Sequence, residues 1–180
     1  MKTATKYGIQ QTFETERLLI RPWRLDDLED CLAMDRDPEV TRFFSGPVGD
    51  PEKHRAFLLE SMQTHRREGF GYWSIFEKSR PDEFLGWIML VHPDDDLEAA
   101  RIDLRLRKQF WRQGYGTEAY YAIQDNSFSK IEISSMEVDI DVRNTAAIRL
   151  AESVGMSYEE ERSEDGQAFR SYMICASELY

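Results

Sequence analysis

The sequence predicts an α/β fold: a mixed, mostly antiparallel sheet with one parallel pair of strands and helices on both faces. Aromatic runs at 71–78 and 83–91 indicate two antiparallel strands across a loop, 79–82, that contains Pro81. Later in the chain, alternating apolar residues before the glycine-rich loop and again at 136–142 flank a segment with helical spacing. A strand, a helix and a second strand in that order form a parallel pair with a right-handed crossover.

The remaining elements follow from local signals along the chain. Leu18 and Ile20 mark a first strand, and Asp50, followed by a proline, begins a second helix that ends near Gly69. A last hairpin turns at 164–166, where two acidic residues precede a glycine. A first helix is indicated by apolar residues at helical spacing, which are Leu25, Leu28 and Leu32.

The length and the net charge of the chain limit the number of domains and the kinds of partner that it can have. With 180 residues, the chain is interpreted as a single domain, 1–180. The formal net charge of -11 argues against nucleic-acid and anionic-membrane partners and favours cationic partners such as amines. Cys31 and Cys175 are the only cysteines and lack metal-ligand spacing, so we predict a cytoplasmic protein without a metal site. The sequence shows no signal peptide and no apolar span of about 20 residues.

Two glycines one residue apart, Gly114 and Gly116, lie between the predicted strand and the predicted helix. Glycine allows a positive φ and lets an anion approach the backbone closely, and the first amides of a helix have no internal acceptor. Such a junction binds phosphate groups through these amides and through the positive end of the helix dipole. The sequence therefore predicts an anion site at residues 112–117.

The same glycines also fit the dinucleotide fingerprint G-x-G-x-x-G/A, and Glu137 or Asp139 lies about 20 residues beyond them. In the dinucleotide-binding fold, however, the first glycine directly follows its strand, whereas residues 107–113 intervene here. The remaining chain is also too short for two βαβαβ halves. A dinucleotide site is therefore the less favoured alternative.

A capped helix follows the next predicted strand. Asn144 suits the N-cap, Gly155 ends the helix, and an apolar stripe lies between them. Between the first strand of the predicted parallel pair and the helix that follows it, the chain has the motif W-x-x-G-x-G-T-E-A, and after the next strand it has N-x-x-A-x-x-L-x-E-x-x-G-M. This order of elements and motifs resembles the GCN5-related N-acetyltransferases (GNAT), and their RimJ/RimL-like branch in particular. Further landmarks of that branch occur in order over residues 14–160.

The resemblance implies a GNAT-like sheet whose parallel strands splay apart at their carboxyl ends, with acetyl-coenzyme A in the gap. The amides of the glycine loop are then expected to hold the pyrophosphate, and the edge of the preceding strand to pair with the pantetheine arm. Asn144 is expected to contact that arm as well. The expected cofactor-binding residues are Leu104, Arg105, Leu106, Arg112, Gln113, Gly114, Tyr115, Gly116, Thr117 and Asn144.

The resemblance also implies a reaction: transfer of an acetyl group from acetyl-coenzyme A to a primary amine by direct attack, with backbone amides stabilising the oxyanion. The acceptor is expected to be a protein N-terminus or a small-molecule amine, and the protein a monomer or a homodimer. An α-amino group, with a pKa of about 7.7 to 8.0, loses its proton more readily than a lysine amine at about 10.4. The alternative is a coenzyme A-binding regulatory module without catalysis.

Two positions depart from the branch. Where it often carries Glu-Ile-Gly-Tyr, this chain has Arg101-Ile102-Asp103-Leu104, and the usual serine of the second motif is Ala147. Asp103 is therefore the predicted base, with Glu137 on the neighbouring strand and Tyr172 on the last strand as further catalytic candidates. The alternative is a cross-strand charge ladder that serves stability. Its members would be Arg101, Asp103, Arg105, Glu137, Asp139 and Asp141.

The acceptor pocket is expected between the first two helices and the last hairpin. Its predicted substrate-binding residues are aromatic: Phe43, Phe44, Trp73 and Trp87. Aromatic residues at such positions also build cores, so packing is the alternative role for each of them. His54 and His65 are interpreted as solvated helix residues, and the histidines show no metal-like spacing.

Overall fold

A computed structural model of the protein describes residues 11–64, 69–92, 98–130 and 133–178. Within these residues, eight strands form one sheet in which all neighbouring strands are antiparallel except one parallel pair. The strands are β1 (Phe13–Glu14), β2 (Leu18–Pro22), β3 (Gly71–Glu77), β4 (Arg80–Val91), β5 (Ala99–Leu106), β6 (Ser135–Asp141), β7 (Ser157–Glu164) and β8 (Gln167–Cys175). They lie in the order β1-β2-β3-β4-β5-β6-β8-β7, and the parallel pair is β5 and β6.

Helices cover both faces of this sheet, which confirms the predicted fold class. In the described part of the chain they are α1 (Leu28–Asp35), α2 (Pro51–Thr64), α3 (Tyr115–Lys130) and α4 (Thr145–Ser153). Short 3-10 turns occur at Leu25–Asp27, Lys108–Phe110 and Ala176–Glu178. Among the helices that the structure describes, none has both the length and the apolar character needed to cross a bilayer.

Two predicted helix caps are present. Asp50 precedes α2, and its Oδ1 accepts a hydrogen bond from the Lys53 amide at 3.2 Å. Asn144 precedes α4, and its Oδ1 accepts a hydrogen bond from the Ala147 amide at 3.2 Å. Gly155 follows α4 with a φ of 92° and ends the helix. These caps satisfy amides that have no partner inside the helix, so the predicted start of each helix is confirmed.

The alternation of side chains along the strands divides the core into two clusters. On one face, Ile102 and Ile140 belong to the cluster that includes buried residues of α3 and α4. On the other face, Trp87 packs in a cluster with Leu28 of α1 and Leu58 of α2. Because neighbouring residues of a strand point to opposite faces, the charged residues of β5 and β6 lie on the α1–α2 face.

The parallel pair is short. β5 and β6 pair at three positions, from Ala99–Ser135 to Arg101–Glu137. Both strands continue beyond that point, β5 to Leu106 and β6 to Asp141, without pairing to each other. The opposite edges of these segments remain paired, β5 to β4 and β6 to β8. We call the region between the unpaired edges of β5 and β6 the splay.

Some local predictions need correction. The early hairpin is present, but β4 begins at Arg80 and therefore includes Pro81, which was expected in the loop. Leu25 is exposed instead of packing on the buried side of the first helix, because it lies in the 3-10 turn before α1. The predicted end of the second helix falls on residues 65–68, which lie outside the described ranges. The last hairpin turns as predicted, and Asp165 there has a positive φ of 48°.

Candidate acyl-donor and acceptor site

The glycine loop leaves β5 and enters α3 at the carboxyl end of the splay. Gly114 has a φ of 80°, as the predicted turn requires, and Arg112 has a φ of 59°. Gly116, by contrast, is already in α3 and does not have a positive φ. A Cβ at Gly116 would lie 3.0 Å from Leu104 and 3.4 Å from Leu150. The second glycine therefore serves close packing of α3 against β5 and α4, and the prediction of a positive φ there was wrong.

The amides at the start of α3 have the arrangement that the predicted anion site requires. The Glu118 amide donates to the Gly114 carbonyl at 3.0 Å and is the first amide of α3 with a backbone acceptor in the described residues. Within the same described ranges, the six amides of 112–117 have no hydrogen-bond acceptor. Residues 111–114 are exposed. Unpaired amides at an exposed helix N-terminus bind anions, and this geometry fits a pyrophosphate group.

A long-range ion pair holds this loop from behind. Oε2 of Glu118 accepts a hydrogen bond from Nε of Arg17 at 2.7 Å, and Oε1 accepts one from the Arg17 amide at 2.9 Å and another from Thr15. Nη1 of Arg17 also donates to the Gln113 carbonyl at 2.9 Å. The Arg17 guanidinium lies 4.4 Å from the ring centre of Tyr115. These contacts connect the start of β2 to both sides of Gly114, and sequence reasoning missed them.

The edge of β5 that faces the splay is the segment expected to pair with the pantetheine arm. The Leu104 amide donates to Oδ1 of Asp103 at 2.7 Å. The Leu106 carbonyl accepts a hydrogen bond from Nε1 of Trp111 at 2.8 Å. Leu106 is therefore engaged by the glycine loop through this carbonyl, and the segment from Ile102 to Arg105 is the part of β5 whose edge faces the splay without a β6 partner.

Asp103 lies beside the splay on the α1–α2 face. Its side chain is exposed to the open cleft, and in the described residues its hydrogen-bond donor is the Leu104 amide. Surrounding protein atoms limit its hydration and raise the pKa of its carboxyl above the ordinary value, although Arg105 opposes that shift. Tyr72 lies on the same face, two strands away across Met89, and burial together with the Asp103 charge raises its pKa to about 12.

Three of the six predicted members of the charge ladder pair with one another, whereas Asp103 has no ion pair in the described residues, Arg105 pairs with Asp35 and Asp141 pairs with Arg143. Nη2 of Arg101 lies 3.3 Å from Oε1 of Glu137 and 3.3 Å from Oδ2 of Asp139. Arg162 of β7 also pairs with Asp139. Arg101 therefore bridges β5 and β6 at the position where their pairing ends. This pairing compensates the charges of Glu137 and Asp139 and leaves Asp103 as the carboxylate of β5 that has no ion pair in the described residues.

The three catalytic candidates do not converge on one point. Tyr172 pairs with Val138 across β6 and β8, and both belong to the core cluster of the α3–α4 face. Its hydroxyl donates to Oε1 of Glu152 at 3.4 Å. Burial, with a further contribution from the Glu152 charge, raises the pKa of Tyr172. Asp103, on the opposite face, is thus separated from Tyr172 by the sheet.

The predicted aromatic residues also divide between the two faces. Trp73 is buried in the α3–α4 cluster, and its Nε1 donates to the Gln11 carbonyl at 2.9 Å. Trp73 is therefore a core residue of the opposite face and not a wall of the acceptor pocket. Trp87, Phe43 and Phe44 lie on the side of α1 and α2, where Trp87 is buried and the two phenylalanines are partly buried.

A buried polar cluster beneath Phe44 was not predicted. Oδ2 of Asp35 lies 3.0 Å from Nε2 of His54 and 2.9 Å from Nη1 of Arg105. The guanidinium of Arg105 lies 4.1 Å from the ring centre of Phe44 and 5.0 Å from that of Trp87. The interpretation of His54 as a solvated residue was wrong, because its ring is buried and contacts the Asp35 carboxylate of α1. His65 lies outside the described residues.

Cys31 is buried and Cys175 is partly buried, and both are free cysteines. Burial raises the pKa of the Cys31 thiol to about 12, so it is protonated and inert at neutral pH. Among the residues that the structure describes, no group of three His, Cys, Asp or Glu side chains is arranged to hold a metal ion.

Comparison with known proteins identifies the family. A family model for an acetyltransferase (GNAT) domain matches residues 17–157. The chain belongs to this family, whose members are acyltransferases. One relative is an uncharacterized N-acetyltransferase, p20, of Bacillus licheniformis, with 28% identity over 151 residues that cover 83% of this chain and 84% of the relative.

Solved structures support the fold. RimL, a ribosomal L7/L12 alpha-N-protein acetyltransferase in complex with coenzyme A, superposes with a TM-score of 0.77 at 16% identity and covers 92% of this chain and 98% of its own. A spermidine N-acetyltransferase from Vibrio cholerae, in complex with coenzyme A and spermine, gives a TM-score of 0.75 at 14% identity, with coverage of 91% and 98%. At these identities the likeness shows the fold alone, and the two acceptors differ in kind.

Proposed function

We propose that this protein is an N-acetyltransferase that transfers an acetyl group from acetyl-coenzyme A to a primary amine. The observation that carries this proposal is the set of unpaired amides at 112–117, which lie at the start of α3 and directly beyond the splay of β5 and β6. An exposed anion site next to an open strand edge matches a cofactor that combines a pyrophosphate with an extended amide-containing arm.

The residues present fit two parts of coenzyme A, the pyrophosphate and the pantetheine arm. The amides of 112–117 would hold the pyrophosphate, and Arg112 is exposed beside them to add a positive charge. The open edge of β5 near Leu104 would pair with the pantetheine arm. Asn144 uses its Oδ1 to cap α4, so its side-chain NH2 group remains available for the same arm. RimL and the spermidine acetyltransferase, which share this fold and are in complex with coenzyme A, support coenzyme A as the ligand.

Asp103 would accept the amine proton, directly or through a water. Acetyl-coenzyme A supplies an activated acetyl thioester when it is bound. Attack of the neutral amine would form the carbon–nitrogen bond, and the carbon–sulfur bond would then break to release a thiolate. Asp103 would hold the proton that the nitrogen loses until solvent removes it. The Leu104 amide, which now donates to Asp103, would be free to donate to the carbonyl oxygen once Asp103 turns towards the amine. The raised pKa of Asp103 makes it a stronger base than an ordinary aspartate.

The geometry favours Asp103 over the other two candidates. Glu137 is paired with Arg101, and Tyr172 is buried on the opposite face. Glu137 and Tyr172 therefore serve in our proposal as a strand-bridging carboxylate and a packing residue. That the chain acts as one domain, as a monomer or homodimer in the cytoplasm, remains a prediction from the sequence.

A coenzyme A-binding regulatory module is the second candidate function. Arg101 and Ala147 lie where the branch usually carries a glutamate and a serine, and the loss of these side chains favours the regulatory module. A dinucleotide-binding enzyme is not supported, because the described sheet has a single parallel pair, β5 and β6, whereas that fold requires several adjacent parallel strands.

Release of free thiol from acetyl-coenzyme A distinguishes the two candidates. The purified protein would be incubated with acetyl-coenzyme A and a panel of amines that contains amino acids, peptides and polyamines. Amine-dependent thiol release, with the acetylated amine identified by mass, supports the transferase. Tight coenzyme A binding with thiol release at the rate of the protein-free control for every amine would instead support the regulatory module.

A further inference from the structure

Three arginines surround the loop between α1 and α2 on the acceptor side of the splay. Cζ of Arg42 and Cζ of Arg143 lie 5.3 and 5.8 Å from the ring centre of Phe43. Cζ of Arg105 lies 4.1 Å from the ring centre of Phe44. Arg105 belongs to β5 and Arg143 follows β6, so these contacts connect both walls of the splay. We call Arg42, Arg105 and Arg143 the arginine rim.

Arg42 and Arg143 are exposed, whereas Arg105 is largely buried beneath Phe44. Arg143 pairs with Asp141 and Arg105 with Asp35, but both carboxylates lie inside the protein. The Asp141 side chain is 1% exposed against 65% for Arg143, and the Asp35 side chain is 0% exposed against 10% for Arg105. A ligand in the cleft therefore meets guanidinium groups before it meets the carboxylates that balance them.

Donor groups of the rim remain available to a ligand. Arg42 is exposed and has no ion pair in the described residues. Nη1 of Arg105 donates to Asp35 at 2.9 Å, and the Arg105 side chain is 10% exposed, so Arg105 forms the inner part of the rim. Within the described residues, Arg42 adds a positive charge without a paired carboxylate to a chain whose net charge is -11.

Asp103 stands next to the rim with the opposite charge. It lies on the same face of β5 as Arg105, two residues away, which corresponds to about 7 Å along an extended strand. The acceptor side of the splay therefore has a carboxylate near the reaction centre and guanidinium groups farther out. Such a pair of charges matches a molecule that carries an amine and an anion a short distance apart.

We propose that the acetyl acceptor is an amine that bears a carboxylate close to the reacting nitrogen, with the amine at Asp103 and the carboxylate at the arginine rim. This inference rests on the proposed acetyltransferase function. The carboxylate belongs either to a free amino acid or to an acidic side chain that follows the N-terminal amine of a peptide. A polyamine does not fit, because its second cation would lie against the guanidinium groups.

Matched acceptors and variants test this proposal. Initial rates with acetyl-coenzyme A would be measured for L-tyrosine against tyramine, for Ser-Asp-Ala-Ala-amide against Ser-Asn-Ala-Ala-amide, and for spermine. The rim would be changed by the double substitution Arg42→Gln and Arg143→Gln. The control is Arg55→Gln, which removes an exposed arginine of α2 that pairs with Glu29. Melting temperatures and coenzyme A affinities of all proteins would accompany the rates.

The proposal expects about tenfold higher kcat/KM for the carboxylate-bearing member of at least one pair. The rim variant should raise the KM of the carboxylate-bearing member by a clearly larger factor than that of the neutral member, so that the preference is lost, and Arg55→Gln should keep the wild-type preference. Whether tyrosine or the acidic peptide shows the preference identifies the source of the carboxylate.

Three results would overturn the proposal. The first is equal rates with both members of each pair, and the second is a preference for spermine. The third is an equal loss of rate for both members of a pair in the rim variant, because a purely structural role of the arginines would produce that loss. If coenzyme A binds but no carboxylate-bearing amine is acetylated, the inference fails and the coenzyme A site stands. If coenzyme A itself does not bind, the proposed function fails as well.

Discussion

The carboxylate of Glu118 in α3 binds the side chain of Arg17 at the start of β2, 101 residues earlier in the chain, with 2.7 Å between Nε and Oε2. Burial raises the pKa of Glu118, but hydrogen bonds from Thr15 and Arg17 outweigh this and lower it overall. The same arginine also binds the Gln113 carbonyl. This ion pair therefore fixes the glycine loop before any ligand arrives, which reduces the entropy lost on binding.

Removal of this carboxylate should weaken pyrophosphate binding. Glu118→Ala frees Arg17 and lets the loop move, so we expect coenzyme A affinity to fall by about tenfold or more. Affinity for pantetheine, which has no pyrophosphate, should stay within about twofold. Asp125→Ala is the control, because Asp125 is an exposed acid of the same helix. Isothermal titration with both ligands checks the prediction, and an equal loss for both would indicate a general structural defect.

Substitution of Gly114 and substitution of Gly116 should weaken coenzyme A binding for different reasons. Gly116→Val would collide with Leu104 and Leu150 and push α3 away from β5, so coenzyme A affinity should fall. Gly114→Val would force a β-branched residue into a positive φ, at a cost of about 1 to 3 kcal/mol of stability. Gly49→Val is the control, since a Cβ there meets no atom within 4 Å. Unchanged coenzyme A affinity in folded Gly116→Val and Gly114→Val would contradict the assignment of this loop.

Asp103→Asn tests whether Asp103 acts as the catalytic base or has a structural role. The folded state raises the pKa of Asp103, so it binds the proton more tightly than the unfolded chain. The free energy of unfolding contributed by this group is therefore present below the ordinary carboxyl pKa and declines as the pH rises through the raised value. At neutral pH Asp103→Asn should thus melt at the same or a higher temperature.

Its turnover should nevertheless fall by roughly 10² to 10⁴, the usual effect of a lost general base, with coenzyme A affinity nearly unchanged. Thermal melting and single-turnover rates measured on this variant decide the question. A lower melting temperature with normal turnover would favour a structural role for Asp103.

Asn144 allows its cap and its cofactor contact to be tested separately. Asn144→Ala should lose about 1 kcal/mol of stability, because the Ala147 amide loses its acceptor. Asn144→Asp keeps an N-cap acceptor but removes the side-chain NH2 group that we assign to the pantetheine arm. We therefore expect Asn144→Asp to melt like the wild type and to bind coenzyme A more weakly. Wild-type affinity in this variant would limit Asn144 to its role as a cap.

The sequence predicted those parts of the site that depend on local signals. Gly114 and the Asn144 cap belong to short segments whose backbone chemistry is encoded within a few residues, and both are present as expected. Alternation in β5 and β6 likewise placed their charged residues on one face. The sheet and its splay then followed from the order of the elements together with the family resemblance.

The sequence could not predict contacts between residues far apart in the chain. His54 has the pattern of a surface helix residue, and only Asp35 and Arg105, which the fold brings beside it, explain its burial. The prediction of Trp73 as a pocket residue was wrong, because periodicity within one strand does not show which face of the sheet lies towards the acceptor. The arginine rim depends on Arg143 meeting Phe43 across the splay, a contact that no local pattern encodes.

The central claim is that the amides of 112–117 and the splay form a coenzyme A site, and competitive ligand binding tests it most directly. The wild-type protein would be titrated with coenzyme A, pantetheine and NAD under the same conditions. We predict that coenzyme A binds at least about tenfold more tightly than pantetheine, which lacks the pyrophosphate held by the loop amides, and more tightly than NAD, which lacks the pantetheine arm. Tighter binding of NAD than of coenzyme A, or equal affinity for coenzyme A and pantetheine, would contradict it.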